Sequence, residues 1–365
     1  MNAQYTATIF LILFALFIMI LVVRNNELLG EQKKAEFIAI FAMIMVSAAS
    51  EWFGNFLDGK SESLRILHIA MKCLDHSVAP VIAIIFMNIL STREKAEKLI
   101  PILVIHGILE AASGYFGFIY YIDDKNVYYH GPYYWIYIAV YLYCTINLLI
   151  EAARFSKKYQ SANRFILEMV FLFLVAGMIL RLANSEIHVD YLCVAIDAII
   201  LYIYYTEIVE KTDSITNLLN RRSYESYLEH MNVPAVILYF DVDDFKSIND
   251  RYGHHVGDFC LQTVGKCLQE VYASYGHCYR IGGDEFCVLL EKKLNSVDEL
   301  NQKLKDKLEE LRKNDKRIPY VSIGYIFFNP EKTDVESAIK EADAQMYRVK
   351  KAGKVMRRER QEAHV

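Results

Sequence analysis

Seven apolar runs occupy residues 6–23, 36–57, 65–90, 99–121, 133–151, 165–182 and 189–206. A helix needs about 20 predominantly apolar residues to cross the hydrocarbon of a bilayer. Nothing else in the sequence restricts the fold as strongly, because a segment in lipid must satisfy its own backbone polar groups. Residues 1–206 are therefore expected to form an α-helical transmembrane bundle of about seven spans. The first run has no basic stretch before it and no small-residue cleavage site after it. It reads as a span and not as a secretory signal. The remainder of the chain has ordinary soluble composition, with Lys, Asp and Glu interspersed throughout.

The loops orient the bundle. Those after the first, third and fifth runs carry Arg24, Lys33, Lys34, Arg93, Lys95, Lys98, Arg154, Lys157, Lys158 and Arg164. The alternate loops carry Lys60, Lys125 and Arg181, with Arg65 at the edge of a span. Basic loops stay cytoplasmic. The N-terminus is thus expected outside and, after seven spans, the C-terminal half in the cytoplasm. Tyr128, Tyr129, Tyr133, Tyr134 and Trp135 suit an outer interfacial belt.

Glu51, Lys72, Asp75, His76, His106, Glu110 and Asp197 fall inside the runs. Charges at that depth usually face the bundle interior. They imply either a sensory pocket between helices or internal pairing, for instance Lys72 with Asp75 on one helical face. Pro80 predicts a kink in the third span. The net charge is -4 and no basic stripe interleaves with aromatics, so nucleic acid is not an expected partner. Cys73, Cys144, Cys193, Cys260, Cys267, Cys278 and Cys287 form no C-x-x-C pair and read as buried reduced thiols. The four in the soluble half fit a reducing compartment.

In the soluble half, Ala235–Phe240 is a continuous apolar run, the mark of a strand buried on both faces. It ends in Asp241-Val242-Asp243-Asp244-Phe245-Lys246, where a helix begins, and a second helix follows from Gly257 to about Tyr275. Residues 278–281 and 286–291 read as a hairpin around Gly282-Gly283-Asp284-Glu285, with two glycines supplying positive φ. Residues 296–313 read as a helix, 317–328 as a strand pair or one long strand, and 334–353 as an amphipathic helix. This order predicts a small α+β palm with an antiparallel sheet.

Nucleotidyl transfer on a palm needs carboxylates at adjacent strand ends, because Mg²⁺ takes hard oxygen ligands and keeps phosphate oxygens and waters. A pair of ions about 3.5–4 Å apart can stabilise the attacking and leaving oxygens together. Asp241, Asp284 and Glu285 are the candidates. Singly, each has a plainer reading: Asp243 or Asp244 as a helix N-cap, the glycines as a simple turn.

Together with their neighbours they are not plain. Gly282-Gly283-Asp284-Glu285-Phe286 resembles the signature of the GGDEF family of diguanylate cyclases. The resemblance covers roughly residues 210–356. It includes Asp213-x-Ile-Thr-x-Leu-x-Asn-Arg-Arg222, Asp241-x-Asp-x-Phe-Lys-x-Ile-Asn-Asp250 and Gly253-His254-x-x-Gly257-Asp258. Val321-Ser322-Ile323-Gly324 and Ala342-Asp343-x-Ala-x-Met-Tyr347 extend it. Together with the apolar runs, it implies a membrane domain, residues 1–206, followed by a cytosolic α+β GGDEF domain, residues 207–365, in a bacterial cytoplasmic membrane.

By that resemblance Asp241 and Asp284 would bind Mg²⁺, two ions per active site with Mn²⁺ a possible substitute, and the Val242 carbonyl would assist. Glu285 would bind metal or help deprotonate the attacking 3′-hydroxyl. Asn249 and Asp258 would read the guanine edge, since a carboxylate accepts from N1–H and N2–H₂ while an amide serves donor and acceptor positions. Phe245 and Lys246 would offer backbone amides to phosphate. Lys350 and Lys354, spaced i,i+4, would grip the β- and γ-phosphates, although a solvated basic helix end has the same spacing.

The chain departs from the family in two places: Asn217 where Gly is usual, and Lys354 where Arg is usual. Asn tolerates positive φ, and Lys keeps the charge without the bidentate fork. The family's product-inhibition site is an R-x-x-D before the signature. Here Ala273 and Gly276 stand there, so no inhibitory site is expected, although Arg280 remains. One domain binds one GTP, so synthesis implies a homodimer, with a sensory ligand acting on the membrane half. The alternative is a catalytically silent GTP-binding module that signals from the membrane.

Overall fold

The computed structural model describes residues 3–90, 97–158, 189–292 and 296–362, with 169–170, 172–173, 175–177 and 179–180 between them. The chain divides into two compact units, Met1–Glu207 and Ile208–Val365.

The first unit contains α1 (Ala3–Arg24), α2 (Glu31–Leu57), α3 (Arg65–Leu90) and α4 (Ile100–Phe116). A short hairpin of β1 (Tyr120–Ile122) and β2 (Tyr128–His130) follows, then α5 (Trp135–Lys158) and α6 (Asp190–Lys211). α6 extends past the unit boundary. Among the described residues, five helices are long and apolar enough to cross a membrane: Ala3–Arg24, Glu31–Leu57, Glu62–Leu90, Trp135–Phe155 and Asp190–Lys211.

The run expected at 99–121 holds a shorter helix than the other five: α4 has 17 residues, about 26 Å at 1.5 Å per residue, the lower limit for crossing a hydrocarbon core. Gly117 stops it, with φ of 75° and its amide donating to the Ser113 carbonyl. Ser113 Oγ then accepts from the amides of Ile119 and Tyr120, which turns the chain into the hairpin. Tyr128 and Tyr129, expected in an interfacial belt, therefore lie on a strand paired with Tyr120–Ile122. Half of the run expected at 165–182 falls outside the described residues. Pro80 sits inside α3.

The polar groups expected inside the bundle are buried there. Tyr5 donates to Glu51 at 3.0 Å, and the Tyr191 hydroxyl donates to Asp75. His76 Nδ1 lies 3.1 Å from Glu110 Oε2, and His106 Nε2 lies 3.6 Å from Glu110 Oε1. Lys72 donates to Asn55 Oδ1 at 2.7 Å and lies over the Tyr128 ring. All seven cysteines are free thiols.

The second unit holds α7 (Arg221–Glu229), β3 (Ala235–Val242), α8 (Phe245–Tyr252) and α9 (His254–Tyr272). β4 (Gly276–Arg280), β5 (Glu285–Leu290), α10 (Val297–Asn314), β6 (Val321–Phe328) and α11 (Val335–Glu362) complete it. The sheet order is β4-β5-β3-β6, every pair antiparallel. Every residue of β3 is buried. Its alternation divides the core into two layers. Leu238, Phe240 and Val242 pack with residues of α9 and α10, while Ile237 and Tyr239 pack with residues of α7 and α11. Truncating a central side chain such as Phe240 to Ala would cost about 3–5 kcal/mol. Gly324 of β6 lies so close to α11 that a Cβ there would stand 2.2 Å from the Met346 amide nitrogen. That close approach sets α11 against the sheet and brings its next turn to the site.

Candidate active site

β3 carries Asp241 to the end of the sheet, opposite Glu285 of β5 on one side and Ser322 of β6 on the other. The alternation that turns Ile237 and Tyr239 toward α11 turns Asp241 the same way, and Glu285 shares that face with Cys287 and Leu289. The Val242 amide donates to the Asp284 carbonyl at 3.0 Å, which fastens the signature turn to the strand end. Asp243 is buried and accepts from Ser322 Oγ at 2.7 Å.

Lys350, one turn past Met346 on α11, brings Nζ within 2.6 Å of Asp241 Oδ1. That places a positive charge directly beside a buried carboxylate. Burial pushes the Asp241 carboxyl up, against the pull of Lys350. Burial also pushes Glu285 up, and the neighbouring Asp284 and Asp241 add to it. Crowded carboxylates of this kind are what a divalent cation relieves. The donor set is all oxygen and so fits Mg²⁺ in type. Among the described residues, no three carboxylate, His or Cys side chains could hold an ion by themselves. The rest of a coordination shell would have to come from backbone carbonyl, water and substrate phosphate.

The signature glycines act differently from expectation. Neither Gly282 nor Gly283 takes positive φ. A Cβ at Gly282 would meet Glu285 Oε2 at 2.6 Å, whereas one at Gly283 would meet nothing within 4 Å. The first glycine makes room for the carboxylate, and the second leaves open space beside it. The hairpin closes instead through Ile281 and Gly282 amides donating to the Glu285 carbonyl.

α8 begins at Asp244, whose φ is 55° and whose side chain makes no capping hydrogen bond. The helix thus opens at Phe245 and Lys246 without a side-chain cap, the setting in which backbone amides take anions. Lys354 Nζ stands 3.8 Å from Asp244 Oδ1. The reading of Asp243 or Asp244 as an ordinary capping residue therefore does not hold. Gly253, at φ 84°, separates α8 from α9. That reversal lays Asn249 against Gly257, where a Cβ would stand 1.9 Å from Asn249 Oδ1. Asn249 Oδ1 is buried without a hydrogen-bond partner. Asp258, the next residue of α9, is half-buried.

From sequence alone, Asp213, Thr216 and Arg280 carry no expected role. The structure gives them one. Arg280 donates to both Asp213 oxygens at 3.0 and 3.2 Å and to the Gly283 carbonyl at 2.8 Å. Asp213 Oδ1 also accepts from the Thr216 amide and hydroxyl, each at 2.8 Å. Burial works against the Asp213 charge, but Thr216 and Arg280 together outweigh it and hold the carboxyl below its ordinary value. Asn217 takes φ of 58° in this turn. The spacing Asp213-x-x-Thr216 was the available signal, since an acid followed three residues later by Thr is a side-chain turn.

Residues 210–356 match the family described as diguanylate cyclase, GGDEF domain. The chain is 35% identical over 189 residues to diguanylate cyclase DgcP of Escherichia coli (strain K12), covering 49% of this chain and 53% of the relative. It is 34% identical over 154 residues to the signaling protein YkoW of Bacillus subtilis (strain 168), covering 39% and 19%. A solved GGDEF domain of DgcB from Caulobacter crescentus in complex with c-di-GMP aligns at 25% identity and a TM-score of 0.34, covering 40% of this chain and 89% of that one. The chain spans about half or less of the length of these curated relatives. Residues 210–356 thus carry a GGDEF domain, similar in sequence to the GGDEF domains of diguanylate cyclases.

Proposed function

We propose that the chain is a membrane-bound diguanylate cyclase that condenses two GTP into cyclic di-GMP and two pyrophosphates. The observation that carries the reading is the pairing of Asp241 with Glu285 across β3 and β5, with Lys350 on the same oxygen-rich face. Residues 1–206 act as a multi-span membrane domain that receives a signal, with the N-terminus outside. Residues 207–365 act as the cytoplasmic catalytic domain.

In this reading the 3′-oxygen of one GTP attacks the α-phosphorus of the other, and pyrophosphate leaves; the same step repeated closes the ring. Asp241, Asp284, Glu285 and the Val242 carbonyl would hold Mg²⁺, which would supply charge neutralisation at the reacting phosphates. Glu285 is exposed on this face, where it would complete the metal shell or take the 3′-hydroxyl proton. The amides of Phe245 and Lys246 hold phosphate oxygens, and Lys350 and Lys354 neutralise the outer phosphates. Asn249 and Asp258 read the guanine edge. Because one domain holds one nucleotide, two chains must face each other, as a two-fold homodimer does.

The test is the purified full chain incubated with GTP and Mg²⁺, with cyclic di-GMP and pyrophosphate quantified. Glu285→Gln, which keeps the shape, should abolish product while leaving GTP bound. A folded wild-type chain that binds GTP and releases no product at any concentration would refute the enzyme and leave a GTP-binding signalling module.

A further inference from the structure

The membrane half encloses a cavity of about 720 Å³, within the range of roughly 300–1,000 Å³ usual for small-molecule sites. One wall is a face of α5, where Tyr137 and Tyr141 follow Tyr134 with ring centroids 5.7 and 6.4 Å apart in succession. The opposite wall includes a face of α6, on which Asp190 and Asp197 recur at helical spacing.

Asp197 sets the chemistry. It is 3% exposed, it lines the cavity, and among the described residues neither carboxylate oxygen has a hydrogen-bond partner. Other buried carboxylates of the bundle have a partner for at least one oxygen: Glu51 from Tyr5, Asp75 from Tyr191, Glu110 Oε2 from His76 and Glu151 from Arg154. The cation on the cavity wall, Lys72, donates to Asn55 and stands 4.8 Å from the Tyr128 ring centre, so its charge is already covered. A carboxylate buried without a partner is costly, and tyrosine faces favour a cation near them.

We infer that the cavity is a binding site for a small organic cation, a primary or secondary ammonium on an apolar or aromatic body. Its N–H groups would donate to the two oxygens of Asp197, and its body would lie along the Tyr134–Tyr137–Tyr141 wall. A quaternary ammonium would supply charge but no donor, and so fits less well. The site names a ligand class for the signal-receiving role proposed above and rests on that role only for its consequence. α6 continues from Asp197 to Lys211, two residues before Asp213 of the catalytic unit, so a ligand held there sits on the helix that enters that unit.

The experiment is calorimetric titration of the purified full chain with three probes of similar size: 2-phenylethylammonium, the neutral 2-phenylethanol and the anionic 3-phenylpropionate. The ammonium should bind saturably and at least about tenfold more tightly than the alcohol, with the anion weakest. Asp197→Asn should remove that preference and leave the alcohol unchanged; Tyr141→Leu, which leaves the buried charge in place, should weaken the ammonium several-fold. Equal or tighter binding of alcohol or anion overturns the assignment, as does no saturation by the ammonium at about 10 mM or full preference retained in both variants. Binding is read without GTP, so its failure would leave the cyclase assay untouched.

Discussion

Gly257→Ala separates nucleotide recognition from folding. Gly257 lies within α9, where Ala in place of Gly favours the helix by up to about 1 kcal/mol. The new Cβ would stand 1.9 Å from Asn249 Oδ1, 3.0 Å from its Cγ and 3.3 Å from Phe245 Cε2. The first contact is impossible, but it falls on the end of a flexible side chain and not on backbone. The amide therefore rotates away and the helix stays. If Asn249 reads guanine, one hydrogen bond to the base goes unmade at about 1–3 kcal/mol, or roughly fivefold to 150-fold in GTP affinity. Thermal unfolding of the full chain should change little or rise, while titration with a fluorescent GTP analogue shows the weakening and the same ATP analogue does not. Unchanged GTP affinity in a stably folded G257A chain would refute the placement of Asn249 in the base pocket.

Asp241→Asn should abolish synthesis without unfolding the domain, since a neutral amide is a poor Mg²⁺ ligand; near-normal turnover would remove Asp241 from the metal site. Asp213→Asn should destabilise the catalytic unit at neutral pH. The Asp213 carboxyl is held below its ordinary value, so its contribution is present above that ordinary value and fades as pH falls through the lower folded one. Melting curves of variant and wild type should thus converge in acid, and a constant gap would count against the ion pair. A reporter fused after Lys211 should read cytoplasm and one before Thr6 the exterior; a cytoplasmic N-terminus would mean an even number of spans. Cyclic di-GMP should inhibit weakly and in competition with GTP, and tight inhibition that excess GTP cannot relieve would reveal a separate regulatory site.

What the sequence made legible follows from how local each constraint is. The continuous apolar stretch at 235–240 could only be a strand covered on both faces, and it is buried throughout. The carboxylates at 241 and 284–285 could be set side by side because a hairpin returning to that strand leaves few registers. Asp241 does stand opposite Glu285. The glycines misled because a Gly-Gly turn usually means positive φ. Here Gly282 answers to a side chain three residues on, which no local rule shows. In the membrane half the apolar runs were visible but their ends were not. Hydropathy continues across Gly117 into the hairpin, and it is Ser113 Oγ, bonding the amides of Ile119 and Tyr120, that diverts the chain. The partners of Lys72 and Asp75 were equally hidden, since Asn55, Tyr128 and Tyr191 lie on other elements.

The missing feedback pair and the use of Arg280 belong to one arrangement. Gly276 lacks the acidic side chain, and strand pairing leaves no space for one: a Cβ there would stand 1.9 Å from the Leu289 carbonyl oxygen. Ala273 ends α9 as its C-cap, without charge. Arg280, four residues past Gly276, is drawn inward to Asp213 and to the Gly283 carbonyl, its side chain only 10% exposed. A guanidinium held by both oxygens of a half-buried carboxylate is not available to a passing phosphate, because release would strand the carboxylate. Putting Arg at 273 would restore one charge, but Asp at 276 would force β4 from β5. Arg280 therefore ties the turn that follows α6 to the signature loop, and a change at that turn has a direct covalent and hydrogen-bonded route to the carboxylates.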